Sequence, residues 1–427
     1  MAGLKALVLL AALLVTGCGR GDADTRTTVR FWAFGREGEV VRELVPEFER
    51  RHPNIKMEVQ QVPWTAAHEK LLTAFVGDAT PDAAQLGNTW IPEFVFLDAL
   101  APLDARIPSS LRGDSFPGIW DTNVIDGKTW GLPWYVDTRL LFYRTDLVAD
   151  AGVPWPPKSW GEWRTAMEGI KRHAGPGRFA ILLPIDEWTQ PVIFGRQMGA
   201  ELLSDGGRHG AFRDPRFKKA MSFYLDLYAA ELAPALDLQG VANIYQQMAE
   251  GYFAMLITGP WNLAEFRNRM PPGMQDRWAT APLPPPEEGM PYPGLSLAGG
   301  SSLVLFRQAK QPEAAWKWLE YLSEPAQQAR FYELSGDLPS RKTAWKLAGL
   351  AGDPKAAAFL RQLEQVAPTP KVPEWEQIAT RVAEAAEQVM RGGVDLDTAL
   401  ARLDADVDRM LEKRRWLLDR AAEEGKR

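Results

Sequence analysis

Residues 27–90 alternate between short β-type segments and amphipathic helical segments, and this alternation limits the fold more than any other feature of the chain. The stretches TTVRFWAF, IKMEVQQVP and PDAAQLG are typical of strands, and GEVVRELVPEFERRHP and AAHEKLLTAFVGDATP separate them with apolar residues at helical spacing. Strands that alternate with helices form parallel sheets with helices on their faces. The pattern therefore predicts an α/β fold.

The loops after these three predicted strands carry charged, amide and aromatic residues. Glu37 follows the first strand, Trp64 the second, and Asn88, Thr89 and Trp90 the third. Ligands of open α/β sheets bind outside the carboxyl ends of the strands, so these five residues are candidate ligand contacts. Structural roles remain open, because Glu37 and Asn88 can serve helix N-termini and the tryptophans can pack.

The chain has 427 residues, and single cores rarely grow beyond about 250–300 residues, so at least two domains are expected. Extended stretches around 137–140 and 297–300 are typical of crossings between domains. Gly299 and Gly300 lie in the second crossing, where glycine lets backbone amides approach a ligand or supplies hinge flexibility alone.

The N-terminal residues predict export. Lys5 precedes the apolar run ALVLLAALLV, which is too short to span a bilayer. The following VTGC looks like a lipobox, the cleavage signal of bacterial lipoproteins, which implies cleavage before Cys18 and lipidation of its sulfur. An ordinary secretory signal with a chance cysteine is the alternative. Residues 18–27 are polar and aperiodic, and we expect a flexible tether.

Charge and composition argue against several classes of function. Lys and Arg number 49 against 55 Asp and Glu, a net charge of −6, which disfavours nucleic acid as a partner. The four histidines are not paired at metal-ligand spacing, and the single cysteine is assigned to lipidation, so we expect neither a metal nor a cofactor. No phosphate-binding glycine loop is present in the sequence.

Several segments together resemble the extracellular solute-binding proteins of ABC sugar importers, in particular the maltose- and trehalose-binding group. They occur in the family's order along nearly the whole chain, and they include PDAAQLGNTWIPEF, GLPWYVDTRLLFYRTDL, EGYFAMLITGPWN, GLSLAGGSSLVLF and AAWKWLEYLSEPAQQARFYELSGDLPSRK. The resemblance implies a two-lobe periplasmic-binding-protein fold, type II-like, with hinge crossings. Each lobe is expected to be a mostly parallel sheet flanked by helices.

The resemblance also implies domain boundaries, with a third crossing near 339–343. We expect a signal peptide at 1–17, a tether at 18–27, a first lobe built from 28–137 and 298–339, and a second lobe built from 138–297 and 340–427. The implied ligand is a sugar, with maltose, trehalose or a maltodextrin preferred. The implied partners are the transmembrane subunits of an ABC permease, and the protein is expected to be a monomer outside the cytoplasm, with only a lipid anchor in the membrane.

The resemblance assigns ligand contacts to further residues. Trp261, which follows a buried strand and a Thr-Gly-Pro turn, matches the family's stacking tryptophan, since a flat indole covers the C–H face of a sugar. Asp137 matches a ligand-binding carboxylate on the first crossing, and Arg341 matches an arginine near the third. The remaining candidates are Tyr135, Trp188 and Tyr245.

Structural alternatives remain open for these assignments as well. Asp137 can simply pair with Arg139, Trp261 can pack on the edge of a domain, and Arg341 can be a surface residue. A secreted glycoside hydrolase is the alternative function, with Asp137 and Glu37 as its two carboxylates. A receptor that reports to a membrane sensor is a third possibility. We expect a binding protein rather than an enzyme.

Overall fold

The computed structural model describes residues 24–237 and 243–424. The predicted signal peptide, Cys18 and most of the predicted tether lie outside the described residues. The end of that tether already contacts the fold: Arg26 forms ion pairs with Asp24 and Glu49, and the first strand begins at Thr27. Within the two described ranges, no helix is both long and apolar enough to cross a membrane.

The strands, in chain order, are β1 (Thr27–Phe34), β2 (Ile55–Val62), β3 (Ala83–Gly87), β4 (Val124–Ile125), β5 (Lys128–Thr129), β6 (Leu132–Asp137), β7 (Leu140–Arg144), β8 (Phe179–Leu182), β9 (Leu203–Ser204), β10 (His209–Gly210), β11 (Phe253–Thr258), β12 (Trp278–Ala281), β13 (Ser296–Leu297), β14 (Gly299–Leu305) and β15 (Val366–Ala367).

The α-helices are α1 (Glu37–Val40), α2 (Val45–Arg51), α3 (Trp64–Val76), α4 (Ile91–Phe96), α5 (Ser109–Asp114), α6 (Pro117–Asp121), α7 (Thr145–Asp150), α8 (Trp160–Ala174), α9 (Thr189–Gln197), α10 (Pro215–Ala229), α11 (Ile244–Ala249), α12 (Trp261–Arg269), α13 (Pro312–Leu322), α14 (Pro325–Ser335), α15 (Lys342–Leu347), α16 (Pro354–Gln362), α17 (Trp375–Met390), α18 (Leu396–Met410) and α19 (Glu412–Glu424). Short 3-10 helices cover Val41–Leu44, Asn88–Trp90, Pro272–Arg277 and Leu350–Gly352.

Two sheets form the centres of two lobes. The first lobe contains a five-stranded sheet in the order β2-β1-β3-β14-β6, and the second lobe a four-stranded sheet in the order β12-β7-β11-β8. Each sheet packs against helices through its own apolar core. In the first lobe the Phe31 ring meets Trp134 and Trp318 edge-on, and in the second lobe Ile181 and Met255 share a core with Trp375. The two-lobe α/β fold agrees with the prediction.

The pairing within the sheets is more mixed than predicted. β1 pairs in parallel with β2 and β3, and β11 with β8, as βα alternation requires. β14 pairs antiparallel with β3 and β6, and β7 pairs antiparallel with β11 and β12. The physical reason is that β6, β7 and β14 flank the crossings, and such strands need not follow the direction of a βαβ unit. The expectation of mostly parallel sheets was therefore wrong for these strands.

The chain passes between the sheets at three places. β6 ends at Asp137 and β7 begins at Leu140, and β13 ends at Leu297 two residues before β14 begins. The third passage runs along β6, where the Val136 N–H donates to the Leu338 carbonyl at 2.9 Å. These passages lie side by side and bring the ends of strands from both lobes to one region.

Candidate functional site

A cavity of about 420 Å³ lies between the two lobes, next to the carboxyl ends of β1, β3 and β6. The residues that line it are Glu37, Trp64, Gly87, Asn88, Thr89, Trp90, Tyr135, Val136, Asp137, Arg139, Trp188, Thr189, Pro260, Trp261, Leu297, Gly299, Gly300, Ser301, Asp337 and Glu376. Both lobes and the crossings contribute residues to this lining, so a ligand in the cavity would contact the two lobes and the crossings at the same time.

Most of the candidates predicted from the sequence come together here. Those that line the cavity are Glu37, Trp64, Asn88, Thr89, Trp90, Tyr135, Asp137, Trp188, Trp261, Gly299 and Gly300. They come from strand ends and crossings that are more than 250 residues apart in the sequence.

Two candidates lie elsewhere. Tyr245 is buried on α11, and its hydroxyl donates to Asn262 Oδ1 at 2.8 Å, so it supports the start of α12 from inside the second lobe. Arg341 donates from Nε to Asp114 Oδ2 at 2.8 Å and from Nη1 to the Ser323 carbonyl at 3.0 Å. Neither lines the cavity, because each side chain is held by structural partners.

Glu37 lies in a hydrogen-bond network at the first-lobe side of the cavity. The Tyr135 hydroxyl donates to Glu37 Oε1 at 2.8 Å, and Trp64 Nε1 donates to Oε2 at 3.2 Å. Tyr135 in turn accepts from Gln85 Nε2 at 3.0 Å and from Ser301 Oγ at 2.9 Å. Burial, together with the Glu37 carboxylate, raises the pKa of Tyr135, so its hydroxyl remains a donor. The network holds Glu37 in position as an acceptor.

Asp137, Arg139 and Trp261 form a second group at the crossing. Arg139 Nη1 contacts Asp137 Oδ1 at 2.5 Å and Oδ2 at 2.6 Å. The same guanidinium lies over the Trp261 ring, with its carbon 4.6 Å from the ring centroid. The ion pair that was the structural alternative for Asp137 therefore exists, and it also positions the indole in the cavity.

Trp261 is the first residue of α12 rather than a turn residue, and 42% of its surface is exposed. Gly259, two positions earlier, leaves room for this position of the ring, because a Cβ there would come within 1.9 Å of Trp261 Cζ3. The indole folds back over this glycine. The Gly-Pro-Trp sequence thus presents a large ring at the cavity that the core does not cover.

Asn88 and Thr89 border the cavity in the 3-10 helix after β3. Asn88 Oδ1 accepts from Ser302 Oγ at 2.8 Å, and Asn88 Nδ2 is buried without a hydrogen-bond partner among the described residues. Thr89 bonds to Glu376 at the start of α17 in the second lobe, and burial raises the pKa of Glu376. Asn88 therefore borders the cavity with one amide donor that is buried and unpaired among the described residues.

Two further aromatic contacts shape the walls. The Trp64 and Trp90 rings meet edge-on with centroids 5.6 Å apart, and Trp188 meets Trp375 edge-on, also at 5.6 Å. Edge-to-face pairs of this kind stabilise ring orientations beyond simple burial. The walls are therefore preformed apolar surfaces contributed by both lobes.

Four carboxyl groups line the cavity, and Asp337 is, besides Glu376, the second one with a raised pKa. Asp337 follows α14, and burial together with repulsion from the Glu37 carboxylate raises its pKa to about 7. The cavity carboxyls do not form a metal site: within the described ranges, no cluster of three or more His, Cys, Asp or Glu side chains is arranged to hold a metal ion.

Sequence reasoning missed Arg139, Asp337 and Glu376. Arg139 was noted only as the partner of Asp137, although it lies on the same crossing. Asp337 lies within the family-like segment SGDLPSRK, directly before the third crossing, and that position was an available signal. Glu376 is at the start of a helix, where a carboxylate is common for structural reasons, so the sequence provides no specific signal for it.

A family profile matches most of the chain. Residues 35–329 match the family described as bacterial extracellular solute-binding protein. The chain belongs to this family. The match begins directly after β1 and ends within α14, and it includes the other strands of both sheets and most of the residues around the cavity.

Several proteins that are similar to this chain have names that refer to sugars. The sugar-binding protein MalE from the phytopathogen Xanthomonas citri is 50% identical, with a TM-score of 0.88, over 92% of this chain and 99% of that one. The diacetylchitobiose-binding protein DasA of Streptomyces coelicolor is 26% identical over 79% of this chain and 77% of its own length. The galactooligosaccharide-binding protein of Bacillus subtilis is 25% identical over 92% of this chain and 93% of its own length.

Proposed function

We propose that this solute-binding protein is a carbohydrate receptor that holds its sugar between the two lobes and delivers it to the transmembrane subunits of an ABC permease. One observation carries the proposal: a single cavity combines the exposed indole of Trp261 with the Glu37 carboxylate, which two donors hold in position. Sugars have C–H groups on their ring faces and hydroxyls around the ring edge, so they fit both features.

The ligand we favour is a glucose disaccharide, maltose or trehalose, with longer maltodextrins as an extension. The cavity volume of about 420 Å³ lies in the range of about 300–1,000 Å³ that is usual for small-ligand sites. The 50% identity to a protein named as sugar-binding supports a carbohydrate, and two more distant relatives are named for diacetylchitobiose and for a galactooligosaccharide.

The crossings support the proposal of delivery by closure of the lobes. Asp137 and Arg139 border the passage from β6 to β7, and Gly299 and Gly300 follow the passage from β13, so the hinge strands themselves line the cavity. A sugar that contacts both lobes and the hinge would favour the closed form, because it gains contacts there that the open form lacks.

The test is thermal unfolding of the purified protein with maltose, trehalose, maltotriose and glucose. A ligand at about 100 times its dissociation constant should stabilise the folded state by about 2.7 kcal/mol. A peptide mixture and a divalent metal serve as controls. Stabilisation by peptides or metal, with none by any sugar, would exclude the proposal.

The same samples separate a receptor from a glycoside hydrolase. A receptor returns its sugar unchanged, so chromatography after hours of incubation at high protein concentration should show no smaller sugars. Sustained release of products that disappears in a folded Asp137→Asn variant would decide for the hydrolase.

We also propose that the protein is attached to the membrane through Cys18. Because the residues that line the cavity begin at Glu37, Cys18→Ser should release the protein from the membrane fraction and leave sugar affinity unchanged. Cell fractionation and calorimetric titration measure the two quantities. Reduced affinity of the released protein would contradict a purely anchoring role.

A further inference from the structure

Asp337 has an unusual position among the carboxyl groups of the cavity. It follows Gly336, the left-handed residue that ends α14, so it lies at the negative end of that helix dipole. The next residue, Leu338, accepts a hydrogen bond from the Val136 N–H at 2.9 Å, which holds the segment against β6. The side chain lies deep in the fold and keeps accessible surface because it lines the cavity.

The charged groups around Asp337 disfavour its ionised form. Glu37 on α1 and Asp137 at the end of β6 both repel a carboxylate there. Arg139 is the only Lys or Arg among the described residues of the lining, and Asp137 already holds it. Arg36 favours ionisation only weakly, since its guanidinium donates to a carbonyl at the end of α14 at 3.2 Å.

The neutral groups near Asp337 do not stabilise its ionised carboxylate as a cation would. Ser335 Oγ accepts from the Asp337 N–H at 3.0 Å, and Ser335 lowers the pKa of the Asp337 carboxyl by less than burial and Glu37 each raise it. The Tyr135 hydroxyl donates to Glu37 at 2.8 Å and is therefore not available to Asp337. A neutral carboxyl fits these surroundings, and it carries an O–H donor that an ionised carboxylate lacks.

We propose that Asp337 contacts the sugar as a hydrogen-bond donor, through a protonated carboxyl, whereas Glu37 and Asp137 act as acceptors. This inference rests on the proposed function. A sugar buried in the cavity needs donors for its hydroxyl, ring and glycosidic oxygens, and a cavity lined by several carboxylates supplies mostly acceptors. The ligand class is then a neutral sugar that directs an acceptor oxygen at Asp337, and negatively charged sugars are disfavoured.

The inference predicts how sugar affinity depends on pH. The pKa of Asp337, raised to about 7, keeps the donor in place at lower pH. Between about pH 6 and about pH 8 the donor is lost and an additional negative charge faces the ligand. Since one hydrogen bond contributes about 0.5–1.5 kcal/mol, affinity should weaken about two- to twelvefold.

Calorimetric titration of maltose and trehalose into the wild type, Asp337→Asn and Asp337→Ala distinguishes the effect of the hydrogen-bond donor from the effect of the negative charge. In the wild type, affinity should fall as pH rises. Asp337→Asn keeps a donor and never ionises, so it should bind at both pH values about as tightly as the wild type at low pH. Asp337→Ala should bind weakly at both. Equal pH dependence in the wild type and in Asp337→Asn, or equal affinity of the Asn and Ala variants, would overturn the inference.

Thermal unfolding without sugar tests whether Asp337 is protonated in the folded protein, independently of the receptor proposal. The pKa of Asp337 is raised from 3.8 to about 7, so the folded state binds the extra proton, and the stability that this proton contributes is lost as pH rises through that window. The melting temperature of Asp337→Asn should therefore rise relative to the wild type between about pH 5 and about pH 8.

Asp126→Asn, in the exposed turn between β4 and β5, is the matched control and should show a constant difference. A constant difference for Asp337→Asn would overturn the inference even if sugar binds. Absence of sugar binding together with a pH-dependent difference would reject the receptor proposal and leave the protonated carboxyl established.

Discussion

Replacing Trp261 with alanine is expected to weaken sugar binding by about thirtyfold or more. The indole keeps 42% of its surface exposed at the cavity, and Arg139 stacks on it. A sugar that covers this ring gains contact area only in the bound state. Truncation of tryptophans in such positions often costs 2 kcal/mol or more, which corresponds to about thirtyfold in affinity.

Calorimetric titration of the wild type and Trp261→Ala with the sugar identified by thermal shift measures this loss. Trp416→Ala is the matched control, since Trp416 is 56% exposed on α19 and does not line the cavity. The fluorescence change on sugar addition should be reduced in Trp261→Ala and retained in the control. Unchanged affinity with a large drop in melting temperature would show that Trp261 is a packing residue.

Gly300→Ala is expected to reduce the free energy of unfolding by about 3 kcal/mol or more. Gly300 has φ +123°, a backbone conformation that other residues rarely adopt, and a Cβ there would come within 2.2 Å of the Tyr135 carbonyl oxygen. That oxygen belongs to β6, which pairs with β14, so it cannot move away without disturbing the ladder between the two strands. The backbone strain at residue 300 and the steric overlap with the Tyr135 carbonyl oxygen therefore both reduce the free energy of unfolding.

Urea unfolding of Gly300→Ala beside Gly127→Ala separates the two contributions. Gly127 also has positive φ, at +73°, but a Cβ there meets nothing within 4 Å, so only backbone strain of about 1–2 kcal/mol is expected. Equal losses in the two variants would mean that the close approach between the crossings does not limit residue 300.

Sequence reasoning predicted local features well where the pattern is strong and short-range. TTVRFWAF was predicted as the first strand, and β1 covers the same residues, Thr27–Phe34. The predicted strand before Trp261 appears as β11, Phe253–Thr258. Alternation and apolar runs report burial directly, and burial fixes which segments become strands.

The sequence did not show which residues become neighbours in the folded protein. Tyr245 was a candidate as well as Trp261, and only packing shows that Tyr245 is buried beneath α12 whereas Trp261 lines the cavity. The network that positions Glu37 likewise depends on Tyr135 and Ser301, which lie on paired strands far apart in the chain.

The sequence by itself determined the α/β alternation and indicated the crossings and most of the residues that line the cavity, and the export signal stays a prediction. Only the tertiary structure decided the direction of the crossing strands, the stacking of Arg139 on Trp261 and the surroundings of Asp337. The physical reason is the distance along the chain over which each kind of interaction acts. Strand and helix formation depend on neighbours along the chain, whereas desolvation and charge at Asp337 depend on α1, β6 and α14, which meet only after folding.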